Sequence, residues 1–112
     1  MNESIVETFV GFYYAQLNKK TLEHVAPHLK EFSVYVRDDV KFQGKDRILN
    51  ALRSSDVLFE PKKVNILING ERRANVVVSG LLNGRYPFCE YIHMAYGNDK
   101  TYWVHSSILQ MV

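Results

Sequence analysis

The side chains able to do chemistry lie in separate stretches of the chain. In KFQGKDRILNAL, Gly44-Lys45 opens a helical run, a place where backbone N–H groups and a lysine can cradle phosphate. A phosphate loop needs the wider pattern GxxxxGK[ST], and Asp46 stands where the hydroxyl belongs, so the stretch reads as a corner. Tyr13 or Tyr14 with Asp38, Asp39, His93 or His105 supplies the types for acid–base work: a base in an apolar pocket and a phenol donor. Against this, Asp38-Asp39 falls where a turn is expected. A tyrosine pair on an apolar helix is core with tethered hydroxyls. No catalytic residue is assigned and the chain reads as a non-enzyme. His24 and His28 are four apart, but Pro27 breaks the helix between them, so neither a metal site nor a cofactor is expected. Cys89, the only cysteine, excludes an internal disulfide and reads as a small buried or half-buried thiol. Trp103, in TYWVH, reads as core or interface and not as a base-stacking platform.

Composition narrows the class. At 112 residues, with 46% apolar and 23% charged content, the chain is one globular domain spanning residues 1–112. A net charge of +2, with Lys and Arg scattered, gives no electrostatic case for nucleic acid. No stretch approaches the ~20 apolar residues of a membrane span, and MNESIVE lacks a basic leader region. A soluble, intracellular protein is expected.

The elements that must position these residues follow from periodicity. Asn2 is an N-cap, and Ile5, Phe9, Phe12/Tyr13 and Gln16/Leu17, widened by Val6, Val10 and Tyr14, predict a helix over about 3–18. Thr21 to Pro27 predicts a short second helix. EFSVYVR is β-rich, Asp38-Asp39 a turn, and Val40 to Phe42 a strand. A third helix follows Gly44, with Ile48, Leu49 and Leu52 inward. Beyond it the chain is all strand. Asn69-Gly70 predicts a tight hairpin with positive φ at both residues, Asn83-Gly84 a second turn and Gly97-Asn98-Asp99 a third. Thr101–His105 and Ile108–Val112 are expected as two closing strands. The sum is an α+β domain, three N-terminal helices on a long curved antiparallel sheet.

In that order of elements, FVGFYYAQL, FQGK before an Ile/Leu helix, and FCEYIHM followed by YWVHSSILQM resemble the nuclear transport factor 2 family. The resemblance implies a cone-like fold, dimeric through the open sheet faces. It also implies a nucleocytoplasmic transport factor that imports the GDP-bound GTPase Ran and binds Phe-Gly repeats of nucleoporins, in cytoplasm, nucleus and nuclear pore. Carried over by position, the Ran cavity falls on Arg37, Asp38, Val57, Leu58, Phe59 and Val64. Arg37 stands where the family carries an aromatic, and LLNGRYP has Arg85 in place of a second acidic cluster. Phe-Gly binding falls on Ile5, Val6 and Phe9, with Asn2 where the family has a tryptophan. Tyr91, His93, Trp103 and His105 are the dimer-interface candidates.

A relative in the same family is the small subunit of the mRNA export receptor heterodimer, which pairs with a larger partner; LNKKTL and Ser106-Ser107 look like it. FQGK and ILQM look like the import factor. A homodimer, with the heterodimer as alternative, is therefore expected. Other members of this cone fold isomerise or dehydrate small molecules, which leaves that activity as the alternative of a different class.

Overall fold

A wide apolar arc on the first helix needs more than one neighbour to cover it, and the chain meets this by curling a single sheet around that helix. The computed structural model describes residues 1–112. Helix α1 (Glu3–Lys19) starts where the Asn2 side chain accepts the Ile5 N–H at 3.0 Å. It ends at Lys20, which adopts the left-handed conformation with φ 60°. Its buried stripe is Val6, Phe9, Val10, Tyr13, Tyr14 and Leu17. The expected second helix is not an α-helix. Leu22–His24 and Ala26–His28 form two one-turn 3₁₀ segments, with Pro27 inside the second, so a regular helix cannot run through them.

Strands β1 (Val34–Arg37) and β2 (Val40–Gln43) form a hairpin over Asp38 and Asp39, both at positive φ. Helix α2 (Lys45–Arg53) buries Ile48, Ala51 and Leu52. Then come β3 (Phe59–Ile68), β4 (Arg73–Leu82), β5 (Tyr86–Tyr96) and β6 (Tyr102–Met111). The closing stretch is thus one strand, not two. A bulge between His93 and Met94 against β6 leaves His105 unpaired and re-phases the strand without ending it.

The strand order is β2-β1-β6-β5-β4-β3. Every neighbouring pair is antiparallel except β1 and β6, which run parallel, so the sheet is mixed. Asn69-Gly70 does not make the two-residue turn: Asn69 N–H bonds Arg73 O, and of the two only Gly70 has positive φ. The turn expected at Asn83-Gly84, between β4 and β5, is tight, with φ of 53° and 70° and an Arg85 N–H to Leu82 O bond of 3.0 Å. Gly80 serves the β3 bulge at Pro61/Lys63. A Cβ there would lie 2.1 Å from the Glu60 carbonyl oxygen.

Candidate functional site

Alternation along β5 sends Phe88, Glu90, Ile92 and Met94 to the concave side, where α1 lies. A carboxylate therefore enters the core. Glu90 is 1% exposed; Tyr14, from α1, donates its hydroxyl to Glu90 Oε1 at 2.6 Å, and Ser107, from β6, donates to Oε2. Burial pushes the Glu90 carboxyl above its ordinary value of 4.5, and the Ser107 and Tyr14 hydrogen bonds pull it part of the way back. Tyr13 and Tyr14 are raised by burial first and by Glu90 second. Tyr35 is raised by the same two causes, opposed in part by Arg37. This polar knot closes upon itself, with Phe59 and Phe88 packed on the Tyr14 ring.

Sequence reasoning missed Glu90. Its signal was a carboxylate on the apolar phase of FCEYIHM. The acid–base sets weighed around Tyr13 or Tyr14 do not form. Asp38 and Asp39 sit in the β1–β2 turn, away from the core, and His93 and His105 lie on the convex side of the sheet. His24 bonds the Gln16 side chain and His28 the Tyr102 carbonyl at 2.6 Å, which accounts for both rings.

The cone opens at the β1–β2 end into a cleft of about 400 Å³, lined by Arg37, Asp38, Ser54, Ser55, Asp56, Val57, Leu82, Asn83, Tyr86, Leu109 and Met111. Three of the expected cavity residues, Arg37, Asp38 and Val57, meet there. Leu58 is exposed, Phe59 is in the core, and Val64 packs at the core's edge on β3, so these do not line it. Arg37 Nε lies 3.9 Å from Asp38 Oδ2. Leu109, the cross-strand partner of Glu90, lies on the cleft wall.

A second concavity, about 420 Å³, runs along the flank of α1 and is lined by Ser4, Ile5, Thr8, Phe9, Phe12, His28 and Tyr102. The His28 ring stands edge-on to Phe9 and Phe12, with centroids 5.1 and 5.7 Å apart. Ile5 and Phe9 fall here as expected; Val6 is fully buried and supports the groove from beneath. Phe12, also on α1, completes it together with His28 and Tyr102, which come from a segment and a strand that sequence spacing does not connect with α1.

The interface candidates share the convex face. Tyr91 is exposed; His93 is half-buried, its ring centroid 5.1 Å from that of His105. Trp103 lies beneath Phe32, whose ring meets it edge-on at 4.9 Å. Burial lowers the His93 pKa first, and the His105 and Arg73 charges lower it further. His105 Nδ1 is buried without a hydrogen-bond partner.

Among solved structures, the chain is similar to nuclear transport factor 2 from Cryptosporidium parvum, with TM-score 0.81, 18% identity and coverage of 95% of this chain and 90% of that one. An NTF2-like protein from Cytophaga hutchinsonii superposes with TM-score 0.81 at 13% identity, over 100% of both chains. A ketosteroid isomerase-like protein from Erwinia carotovora atroseptica gives 0.80 at 14% identity, over 100% of this chain and 98% of that one. No protein-family model and no curated protein matches the chain. The fold is that of nuclear transport factor 2-like proteins, a fold whose bearers include transport factors and isomerase-like proteins alike.

Proposed function

We propose that the chain is a non-catalytic nucleocytoplasmic transport factor that binds Phe-Gly repeats of nucleoporins. The observation that carries this reading is the α1 groove. Ile5, Phe9, Phe12 and Tyr102 make an apolar slot of about 420 Å³, large enough for a phenylalanine ring, with the His28 ring as an edge. The cleft at the cone mouth is assigned to cargo. Its Val57, Leu82, Leu109 and Met111 take an apolar side chain, and GDP-bound Ran is the cargo the resemblance suggests. Assembly through the convex face duplicates the groove, so weak contacts gain avidity and still exchange quickly. The core favours binding over catalysis. A base needs a lone pair facing substrate, whereas both Glu90 oxygens are hydrogen-bonded and the side chain is buried.

The test is titration of the full chain with Phe-Gly repeat peptides, together with retention of GDP-loaded Ran on immobilised protein. Saturable peptide binding that Phe12→Ala weakens about tenfold supports the groove. Absence of peptide binding, with a small molecule saturating the cone interior instead, overturns the reading.

A further inference from the structure

The strand order leaves β2 at a free edge of the sheet, with β1 as its only neighbour. Alternation along an antiparallel pair decides which of its backbone groups stay open. Phe42 stands opposite Tyr35, and two residues on, in the same phase, the Gly44 N–H bonds the Ser33 carbonyl at 2.9 Å. Val40 and Phe42 therefore turn their N–H and C=O groups toward β1. Those of Lys41 and Gln43 turn outward, where no turn or loop bond takes them up.

Helix α2 runs beside this edge. Its Arg47, Asn50, Ala51 and Ser54, spaced i, i+3, i+4 and i+7, form one stripe, and with Lys41 and Phe42 they line a hollow of about 470 Å³. The lining holds two cations and no carboxylate. The ion pairs Lys30–Asp99, Arg37–Asp38 and Lys62–Glu60 use neither Lys41 nor Arg47. Asn50 Oδ1 accepts from Arg53 at 2.8 Å, which leaves the Asn50 amide free to donate. Acids stand around the hollow and not in it: Asp38 and Asp39 at the β1–β2 turn, Glu31 beside Gly44, and Asp46 in the first turn of α2.

We propose that an extended peptide, acidic at its centre and neutral or basic at its ends, adds to β2 as a further strand and lies in this hollow against α2. Its backbone takes up the outward N–H and C=O groups of Lys41 and Gln43. Neighbouring residues of a strand point to opposite faces, so of two consecutive acids one meets Lys41 across the strands and the next meets Arg47. Val40, 52% exposed, and half-buried Phe42 supply apolar contact. Charge selects the occupant: a second copy of β2, VKFQ, has no acid to set against Lys41, whereas an acidic strand has one at each place required.

The test is titration of the isotope-labelled full chain with the end-blocked peptide Thr-Val-Glu-Glu-Val-Thr. One control replaces both glutamates by glutamine, and another is N-methylated along its backbone, which removes the strand's donors and keeps its charge. The acidic peptide should saturate and bind about tenfold tighter than the glutamine copy at about 0.05 M salt, with the margin shrinking at about 0.5 M. It should slow hydrogen exchange at the Lys41 and Gln43 amides and leave the Phe42 amide, turned toward β1, as it was. Lys41→Glu/Arg47→Glu, at two exposed positions, should weaken binding about tenfold or more. Equal binding of the N-methylated copy overturns the proposal, as does protection on β3 or in the α1 groove in place of β2. So does inorganic phosphate that displaces the peptide at equal concentration, or a failure to saturate by about 5 mM. Phe-Gly peptides are read on amides of α1, so the two readings fail independently.

Discussion

Replacing Glu90 by glutamine isolates the one carboxyl group in the core. Glutamine keeps the size of the side chain. Its carbonyl can accept from Tyr14, and its amide can donate to the Ser107 oxygen, whose proton then turns elsewhere. What disappears is the proton. Burial raises the folded-state pKa of Glu90 above 4.5, so between that value and the raised one the native chain holds a proton that the unfolded chain has released. The stability this supplies is complete below the unfolded pKa and is lost as pH rises through the folded one. In that window the wild type should lose about 1.4 kcal/mol per pH unit relative to the Glu90→Gln variant, levelling off above the folded pKa.

His93 runs in the opposite sense. Its lowered pKa gives stability that is lost as pH falls below 6.5, but it is present in both proteins and cancels in the difference. The assay is urea unfolding at a series of pH values, followed through Trp103, the single tryptophan and a buried one. The variant's advantage should be smallest in acid and grow with pH. Two stability curves that stay parallel from acid to neutral pH would refute the reasoning, because Glu90 would then titrate alike in the folded and unfolded chain.

Two further substitutions probe how the fold is held. Tyr14→Phe removes the donor to Glu90 Oε1 and should cost about 1–3 kcal/mol in urea unfolding. A double-mutant cycle with Glu90→Gln should show coupling of about 0.5–3 kcal/mol, and additivity would count against the bond. Gly80→Ala drives a methyl to 2.1 Å from the Glu60 carbonyl, so about 3 kcal/mol should be lost by displacing β3. Gly11→Ala is the control: with nothing within 4 Å in mid-helix, it should gain about 0.5–1 kcal/mol.

How much of this was legible in the sequence depended on the reach of each interaction. The α1 stripe and the alternation in β3, β4 and β5 are set by near neighbours, and the expected elements fall close to the observed ones. The parallel pairing of β1 with β6 is not local, and no spacing rule announces it. The hairpin expected at Asn69-Gly70 forms, but with a longer loop, since β3 ends at Ile68 and β4 begins only at Arg73. Three of the expected cleft residues converge, since they flank the β1–β2 turn and the exit of α2. Phe59 and Val64 instead follow the phase of β3 into the core and its edge. Glu90 stayed hidden because its partners are 76 and 17 residues away in sequence.

The departures from local rules point to where function resides. A buried carboxylate is costly unless its hydrogen bonds are met, and here they are met within the core by Tyr14 and Ser107. A group so placed specifies packing. It ties α1 to β5 and β6 at one point, with each oxygen hydrogen-bonded, while Leu109, its cross-strand partner, forms part of the cleft wall. The unresolved polar demand lies outside. His105 Nδ1 lacks a partner on the convex face, beside His93 and Arg73 and next to exposed Phe32 and Tyr91. Exposed Tyr91 and Ile108 lie on the same face, with the Lys41, Lys63 and Arg73 cations and the Asp38 and Asp39 carboxylates at its margins.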